Sequence, residues 1–514
     1  MAIFNGTPGN DTLGGSAGSV DDVLNGGLGN DLYRYRLGSG NDVITDTGGA
    51  DTIEVDDPLS LFQGIDCYRS GNDLIIDFHG QGRITVTNQY LAAPIIERLT
   101  APDGWGPFFF SNSLTPSAGN DALVGTSAAE AINGDNGDDL IFGNEGDDTL
   151  SGGDGDDDIW GGAGNDSLYG GAGDDELDGQ GGANVIDGGD GWDSVGYSLE
   201  SGGLTINFSG ATKDISGHSL ADGHVLHADG VTEDTLVNIE GVDGSDYADV
   251  YYAGAPGHPS FHGGKGNDTL VGGTDPNSWI HAEYWEAPLG IIVNLSDVGI
   301  TVGGVTVASK TASDGEGYTD TFVLSAGNIG IGGSDHADYI RGRDDKVAVM
   351  DGEAGNDTLV GGAFGGFANY DNDSDGSSGG IYGAIVNLSA SSVTVSGVTG
   401  YAASVTVGSN QARDSFAGTD TLISIVGASG SARNDYLAGS SGSNFLSGQD
   451  GADTLDGGAG ADNLQGGLGN DSLLGGIGAD TLAAGPGLDT VDGGADADTL
   501  VVLGNFADYT RTRP

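Results

Sequence analysis

A nine-residue unit repeats without a change of register from Gly430 to Val501. Its clearest copy, Gly457 to Gln465, follows the pattern G-G-x-G-x-D-x-U-x, in which U is apolar. The glycines permit tight turns with positive φ and direct carbonyl oxygens towards a common centre, and the aspartate at position six adds a carboxylate. The apolar residue at position eight predicts a short strand that faces inward, so each unit forms half a coil of a parallel β-helix.

A second block keeps the same register from Pro116 to Gly196, with clear copies at Gly152 to Trp160 and Gly161 to Tyr169. The alternative is a disordered linker rich in Gly and Asp, but linkers lack apolar residues at a fixed phase. The chain also contains shorter runs of the repeat, from Gly6 to Glu54, from Gly244 to Val271 and from Gly333 to Val360.

On these motifs the sequence resembles the RTX family of haemolysin-type calcium-binding repeat proteins. The resemblance implies an all-β, right-handed parallel β-roll with stacked Ca²⁺ ions, here interrupted by β-rich inserts. The position-six aspartates are predicted to bind calcium together with carbonyl oxygens of the turn glycines. These predicted ligands are Asp11, Asp31, Asp121, Asp139, Asp148, Asp157, Asp166, Asp175, Asp193, Asp268, Asp357, Asp453, Asp462, Asp471, Asp480, Asp489 and Asp498. The narrow core is predicted to contain position-eight residues such as Leu150, Ile159, Leu168, Leu464 and Leu473.

The charge of the chain supports cations as partners. There are 77 acidic and 15 basic residues, a formal net charge of −62. Such a charge opposes compaction and argues against nucleic acid or anionic lipid as a partner. About one Ca²⁺ per repeat, on the order of 15 to 20 ions, would neutralise roughly half of it. The single cysteine, Cys67, excludes an intramolecular disulfide and is interpreted as a small core residue rather than a reactive thiol.

The sequence also bears on where the protein acts. No apolar run is long enough to span a membrane, and the first residues lack the basic and apolar regions of a signal peptide. The resemblance implies type I secretion from a Gram-negative bacterium, with folding at extracellular calcium concentrations. The tail from Val502 to Pro514 is shorter than the secretion signals of the family. Since Asn505 to Thr510 resembles the start of a further segment, we expect a truncated gene.

Segments between the repeats divide the chain further. In the β-rich segment 55–115, which resembles a region that often follows RTX repeats, Ser70 to Asp77 and Gly82 to Asn88 are predicted to form antiparallel strands. Trp105 and Phe108 to Phe110 are expected to plug the core rather than bind a ligand. The predicted segments are 1–54 (repeats), 55–115, 116–196 (roll), 197–429 (three modules of insert plus repeat), 430–501 (roll) and 502–514 (tail).

The three inserts have matching ends and variable middles. Their strands are Gly203 to Phe208, Gly290 to Leu295 and Gly383 to Leu388. This pattern predicts a loop inserted on one edge of a continuous stack, which serves either recognition or only solvated decoration. The isolated repeats that follow the inserts should bind calcium more weakly, because each lacks one neighbour; they contain Asp249, Asp338 and Asp435.

Catalytic motifs are weak, and we expect no enzyme. The zinc-protease motif H-E-x-x-H is absent, and the two matches to G-x-S-x-G, at Gly14 to Gly18 and Gly376 to Gly380, lie in Gly/Ser-rich turns. His218, His224 and His227 are close enough in sequence to share a metal, but exposed loop histidines are the favoured interpretation. Two roles remain: a secreted surface or matrix protein that adheres through its inserts to a glycan or matrix, or the non-catalytic export and folding region of a type I secreted enzyme or toxin.

Overall fold

The computed structural model describes residues 2–16, 18, 20–56, 65–70, 72–78, 81–89, 98–100, 108–110, 116–254, 260–371, 382–396, 398–401 and 404–502. In these ranges the regular structure consists of short strands, and none of it is a helix long and apolar enough to cross a bilayer. The chain divides into two compact units, Met1–Asp246 and Tyr247–Pro514.

Two nonapeptides make one coil of the roll in the first unit. Leu150 pairs in parallel with Leu168, and Ile159 pairs with Leu177, so equivalent residues lie 18 positions apart. Alternate repeats therefore build opposite faces. One face contains Asp121–Val124, Leu140–Glu145, Asp158–Ala163, Glu176–Asp178, Ser194–Gly196 and Gly241–Asp243. The other contains Ala131–Asn136, Thr149–Asp154, Ser167–Ala172, Val185–Asp190 and Glu233–Val237.

The N-terminal coils are two residues longer. Leu13 pairs with Tyr33, and Tyr33 pairs with Ile53, a spacing of 20 residues. One face contains Ile3–Asn5, Val23–Asn25, Asn41–Thr45 and Arg83–Val86, and the other contains Thr12–Gly14, Leu32–Tyr35, Thr52–Val55 and Arg98–Thr100. The roll fold is thus present from the first repeats, although its period changes along the chain.

The segment 55–115 extends the N-terminal roll with antiparallel strands, as predicted. Asp66–Ser70 pairs with Asp73–Asp77, which pairs with Arg83–Val86. Cys67 lies buried in the core. The strand Phe108–Phe110 joins the sheet by pairing with Arg98–Thr100 and Asp121–Val124. Phe108 and Phe110 are buried, whereas Phe109 is exposed. Trp105 lies outside the described residues.

Position eight faces the core in most of the roll, as predicted, but in the last two repeats Val491 is only partly buried and Leu500 is exposed. Each of these side chains stacks on its equivalent one coil away, because parallel pairing in register places identical positions above one another. Leu150, Ile159, Leu168, Leu464 and Leu473 are at most 1% exposed. The core is therefore a ladder of single aliphatic side chains.

The second unit repeats this architecture. One face contains Ser260–His262, Trp279–Glu283, Asn328–Ile331, Val349–Asp351, Gly366–Asn369, Ile425–Ser429, Phe445–Ser447, Asn463–Gln465, Thr481–Ala483 and Thr499–Val501. The other contains Val250–Ala253, Thr269–Val271, Thr319–Val323, Tyr339–Arg341, Thr358–Val360, Asp420–Ile423, Tyr436–Ala438, Thr454–Asp456, Ser472–Ile477 and Thr490–Ala495.

The inserts are more than edge loops, which corrects the sequence-based expectation. On one face the coils on either side of an insert pair directly, as Trp279–Glu283 does with Asn328–Ile331. On the other face each insert adds two antiparallel strands to the sheet, because its returning strand satisfies the open edge of the exit strand. These pairs are Thr205–Phe208 with His224–Leu226, Ile292–Asn294 with Thr311–Ser313, and Ile385–Asn387 with Gln411–Arg413.

A hairpin extends from each inserted pair, and a buried asparagine anchors its base. Asn387 Nδ2 donates to the carbonyls of Ser391, Val407 and Gly408, and Ser389 Oγ donates to Asn387 Oδ1. Asn207 and Asn294 make the same bonds in the other inserts. This shared anchor explains why the ends of the inserts match. The hairpins are Lys213–Ile215 with His218–Leu220, Ile300–Val302 with Val305–Val307, and Val393–Val395 with Val405–Val407.

Candidate metal centre

One carboxylate oxygen of most position-six aspartates accepts a hydrogen bond from a neighbouring coil. The Asp139 N–H donates to Asp157 Oδ1 at 2.7 Å, and the Asp157 N–H donates to Asp175 Oδ1 at 2.8 Å. The same contact is made by all the predicted ligands except Asp11 and Asp121. These residues are Asp31, Asp139, Asp148, Asp157, Asp166, Asp175, Asp193, Asp268, Asp357, Asp453, Asp462, Asp471, Asp480, Asp489 and Asp498.

The second oxygen, Oδ2, is buried without a hydrogen-bond donor in most of these residues. A buried carboxylate oxygen with no donor is strongly unfavourable, so this arrangement calls for a positive charge that the chain itself does not supply. The residues concerned are Asp31, Asp139, Asp148, Asp157, Asp166, Asp175, Asp193, Asp357, Asp453, Asp462, Asp471 and Asp480.

Glycine at position one keeps space open beside this oxygen. A Cβ atom on Gly134 would lie 2.0 Å from Asp139 Oδ2 and 2.6 Å from the Gly152 carbonyl oxygen of the next coil. The two oxygens therefore face the same small space, which a side chain would fill. The same arrangement recurs at Gly170, Gly448, Gly457, Gly466 and Gly475.

The turn geometry and the donor chemistry fit calcium. Gly153 and Gly155 have φ values of 130° and 137°, in a region that side chains rarely adopt. All the facing groups are carboxylate or carbonyl oxygens, which are the ligands of hard cations such as Ca²⁺. The position-six carboxylates and position-one carbonyls would hold the ion. An ion there would supply the missing positive charge.

Burial disfavours the charged form of these carboxylates. It raises the pKa of Asp139 to about 7, of Asp157 to about 8 and of Asp453 to about 9, although hydrogen bonds from backbone N–H groups oppose the shift. In metal-free protein near neutral pH, protons therefore compete with a cation for these oxygens.

Some of the predicted ligands are satisfied by their own turn. The Ser117 N–H donates to Asp121 Oδ2 at 2.5 Å, and Thr7 donates to Asp11 Oδ2 through both its N–H and its hydroxyl. Asp489 is half-buried and Asp498 is exposed. The structure thus assembles one group of carboxylates with an open oxygen and a smaller group without one. Calcium ligation by each residue stays a prediction.

Two of the isolated repeats also contain an aspartate that accepts hydrogen bonds from its own turn. The Ser334 N–H donates to Asp338 Oδ2 at 2.6 Å, and its hydroxyl donates to Asp338 Oδ1. Ser431 makes the same two bonds to Asp435. These contacts would favour the weaker calcium binding predicted for Asp338 and Asp435. The expectation of a missing neighbour is wrong, because an insert strand stacks on each repeat and the N–H groups of Ile291 and Ala384 donate to Oδ1 of Asp338 and Asp435.

Sequence reasoning missed equivalent aspartates in the N-terminal coils. The Asp22 N–H donates to Asp42 Oδ1 at 2.9 Å, and the Asp31 N–H donates to Asp51 Oδ1 at 2.7 Å. The positions Asp11, Asp22, Asp31, Asp42 and Asp51 alternate in steps of eleven and nine residues, so a strict nine-residue period loses register at each eleven-residue step. A spacing of 20 residues, which relates Asp11 to Asp31 and Asp51 and separately relates Asp22 to Asp42, would have found them.

The three histidines of the first insert do not share one site, and the expectation of exposed loop residues is wrong: His218 and His224 lie in strands and are partly buried, and His227 is buried. His218 and His224 both face Glu233, while His227 is buried between Glu200 Oε1, at 3.2 Å from Nδ1, and Asp234 Oδ2, at 3.0 Å from Nε2. Burial lowers the pKa of His227, but the hydrogen bonds to Asp234 and Glu200 outweigh it and raise the pKa to about 10. His227 is a charged bridge between two carboxylates.

Comparison with known proteins agrees with the repeat geometry. The RTX calcium-binding nonapeptide repeat matches residues 3–33, 36–57, 116–150, 133–168, 169–196, 260–278, 349–366, 429–464 and 465–500. A stretch of 66 residues is 42% identical to "Hemolysin, plasmid" of Escherichia coli; it covers 12% of this chain and only 6% of that protein. The extracellular lipase LipA from Serratia marcescens aligns with 46% of this chain and 38% of its own at 18% identity, but the TM-score is 0.17. The repeat match and the stacked coils together show that the chain contains stacked RTX calcium-binding nonapeptide repeats.

Proposed function

We propose that calcium folds this chain after export, and that it acts as a secreted surface or matrix protein of a Gram-negative bacterium. The observation that carries the proposal is the row of buried Oδ2 atoms without donors, in a chain with a formal charge of −62. At submicromolar calcium these carboxylates repel one another, whereas extracellular modules bind calcium with dissociation constants of about 10⁻⁴ to 10⁻³ M. Binding and folding then become one event.

We also propose that the chain adheres to a glycan or matrix through its inserts and has no catalytic activity of its own. Adhesion is supported by exposed apolar side chains in the second insert, where Trp285 is 53% exposed and Leu289 is also exposed. The non-catalytic assignment is supported by Ser16, which lies between short strands and donates its N–H to Asp22 Oδ2. A nucleophile elbow would need a strand followed by a helix. The second G-x-S-x-G match lies outside the described residues.

A calcium titration followed by far-UV circular dichroism tests calcium-coupled folding. The β-sheet signal should appear cooperatively with Ca²⁺. Mg²⁺ should substitute poorly, because it demands tighter octahedral geometry and gives up its water reluctantly. A full β-sheet spectrum in excess chelator would contradict the proposal.

A glycan and matrix binding screen in calcium and in chelator tests adhesion. We expect binding only in calcium, and a loss of binding in Trp285→Ala. Tyr169→Ala is the matched control, because Tyr169 is an exposed aromatic residue of the uninterrupted roll. Equal binding by both variants would contradict adhesion through the inserts.

A further inference from the structure

The third insert brings two extra carboxylates to a repeat aspartate. Asp357 occupies position six of its repeat, Asp414 directly follows the returning strand Gln411–Arg413, and Asp420 begins the exit strand Asp420–Ile423. One carboxylate oxygen from each lies within 4.8 Å of the others, and all three side chains are at most 1% exposed. Three buried carboxyl groups thus meet in one small space.

Two of the carboxylates each retain an oxygen without a donor. The Asp357 N–H donates to Asp420 Oδ1 at 3.0 Å, and the Tyr370 hydroxyl donates to Asp420 Oδ2 at 3.0 Å. Asp357 Oδ1 accepts the backbone N–H of the preceding coil. The Oδ2 atoms of Asp357 and Asp414 are buried and accept no hydrogen bond. The tyrosine therefore satisfies Asp420 and leaves the other two carboxylates open.

The local backbone holds Asp414 in place and contributes a further oxygen. Asp414 Oδ1 accepts the N–H groups of Phe416 at 2.9 Å and Gly418 at 2.6 Å. A Cβ atom on Gly418 would lie 2.1 Å from Asp414 Oδ2 and 1.9 Å from the Gly355 carbonyl oxygen. A carboxylate of the insert and a carbonyl of the repeat turn thus face the same space.

The nearby basic charge does not balance the cluster. Arg413 acts on both Asp414 and Asp420, but its Nη1 donates to the Ala417 carbonyl at 2.5 Å. Arg413 therefore does not donate to the open Oδ2 atoms of Asp357 and Asp414.

In the first insert, groups of the protein at the equivalent positions satisfy the exit aspartate. The Asn184 N–H donates to Asp234 Oδ1 at 2.7 Å, and the Tyr197 hydroxyl donates to Asp234 Oδ2 at 3.1 Å. Asn184 therefore corresponds to Asp357 and Asp234 to Asp420. His227, which follows the returning strand as Asp414 does, contacts Asp234 Oδ2 at 3.0 Å. An amide and a charged imidazole thus replace two carboxylates.

The second insert follows the third rather than the first. The Asp268 N–H donates to Asp320 Oδ1 at 2.9 Å, and the Tyr284 hydroxyl donates to Asp320 Oδ2 at 2.9 Å. Asp314 Oδ2 is buried without a donor, as Asp414 Oδ2 is. Carboxylates at these three positions are thus a recurring arrangement of this chain, and the first insert is the variant.

We propose that Asp357, Asp414 and Asp420, with the Gly355 carbonyl, form a divalent-cation site that takes Ca²⁺ and locks the third insert onto the repeat stack. The site rests on the calcium binding proposed above but differs from the repeat sites, because two of its carboxylates come from the insert and its exit strand. Carboxylate and carbonyl oxygens supplied by the protein favour Ca²⁺ over Mg²⁺, which gives up its water reluctantly. The equivalent position in the first insert takes no ion, because His227 supplies the positive charge.

An anomalous difference map from crystals of the full chain grown in calcium tests the site. We expect a peak about 2.3 to 2.6 Å from oxygens of the three aspartates, and none between Asn184, His227 and Asp234. If peaks appear beside the position-six aspartates of residues 116–196 but not at the third insert, this proposal fails and the proposed function stands. If neither region shows peaks, both fail.

Asp414→Asn is the matching variant in solution. It keeps a side-chain oxygen for the N–H groups of Phe416 and Gly418 but removes the charge. Equilibrium dialysis should find one fewer bound ion per chain, and the anomalous peak should disappear from the third insert alone. Asp229→Asn is the control, since Asp229 is an exposed aspartate of the first insert that also accepts backbone N–H groups. An unchanged peak and ion count in Asp414→Asn would overturn the proposal.

Discussion

The aspartates of the uninterrupted roll, residues 116–196, and the exit aspartates of the insert modules, residues 197–429, differ in what contacts their Oδ2 atoms. In the roll, Asp157 binds the neighbouring coil through Oδ1, and its Oδ2 has no donor. In the modules, the exit aspartates keep the Oδ1 contact, but a buried tyrosine hydroxyl donates to Oδ2 at 2.9 to 3.1 Å. These aspartates are Asp234, Asp320 and Asp420, and the tyrosines are Tyr197, Tyr284 and Tyr370.

The comparison separates the roles of the two carboxylate oxygens, Oδ1 and Oδ2, of one aspartate. The Oδ1 contact sets the coil register wherever a coil stacks, with or without an insert. The Oδ2 atom decides whether a cation is needed, and an O–H or N–H donor from the chain removes part of that need. Calcium dependence should therefore vary along the molecule, being strongest in the uninterrupted roll and weaker at the exit aspartates.

Hydrogen exchange of the full chain, measured by mass spectrometry with and without calcium, should show the largest effect. In chelator, the amides of residues 116–196 should lose nearly all protection, because each coil there depends on several open carboxylates. The exit strand Glu233–Val237 of the first insert should keep measurable protection, since His227 and Tyr197 satisfy Asp234. Equal loss in both regions would contradict the comparison.

A core residue and a ligand of the same repeat should respond differently to substitution. Leu168→Ala removes a fully buried side chain from the ladder and should cost about 2 to 5 kcal/mol even at saturating calcium. Asp166→Ala should instead weaken calcium binding of the 116–196 block, while saturating calcium restores the fold. Thermal and calcium midpoints of both variants are the measurement. An unchanged calcium-saturated midpoint in Leu168→Ala would mean that position eight contributes nothing to the core.

The parts of the structure that follow from local pattern could be predicted from sequence. The nine-residue period placed Leu168 in the core and Asp166 at a coil turn, because parallel stacking repeats one local geometry. The 20-residue coils that contain Asp22 and Asp42 were not predicted, because the spacing between successive aspartates there alternates between eleven and nine residues.

The inserts show where sequence reasoning ends. Glu200, His227 and Asp234 meet only because the returning strand pairs antiparallel with the exit strand. No sequence period encodes that pairing. The matching ends of the inserts were visible, but what the ends do depends on long-range contacts such as the Tyr197 hydroxyl bond to Asp234.

Tyr284→Phe tests whether the tyrosine stabilises an insert module. It removes the hydroxyl that donates to the buried Asp320 Oδ2 and leaves the ring in place. The loss should be about 1 to 3 kcal/mol, because it leaves a buried acceptor without its donor. Denaturant unfolding in saturating calcium is the measurement. Tyr169→Phe, in an exposed tyrosine of the roll, should change stability by less than about 0.5 kcal/mol, and a similar loss in both would contradict the assigned role.

Gly134→Ala tests the space reserved beside Asp139. Its Cβ would lie 2.0 Å from Asp139 Oδ2, so the oxygen or the turn must move and one calcium site should weaken by about tenfold, or about 1.4 kcal/mol. Gly196→Ala is the control, because a Cβ there has no neighbour within 4 Å. Isothermal titration of both variants measures the effect. Equal calcium affinity would show that position one is not part of the site.

A rise in pH should lower the stability of the roll in calcium-free buffer but strengthen its binding of limiting calcium. Burial raises the folded-state pKa of Asp139 to about 7 and of Asp157 to about 8, above about 3.9 in the unfolded chain. In calcium-free buffer the folded chain therefore binds more protons between about pH 4 and pH 8, so the stability of the roll should fall as the pH rises through that window.

With limiting calcium the ion must displace those protons, so the calcium midpoint of the roll should fall as the pH rises from about 5 to about 8. The folded-state pKa of His227 is raised to about 10, so its stabilising contribution is fully present below about pH 6.5. That contribution is lost only as the pH rises through about 10. The first insert should therefore change less than the roll between about pH 5 and pH 8. Far-UV circular dichroism in calcium-free buffer, which follows how much β-structure protonation alone supports, and calcium titrations across this range measure both effects. A calcium midpoint that does not change with pH would show that the open carboxylates are already ionised in the folded, metal-free roll.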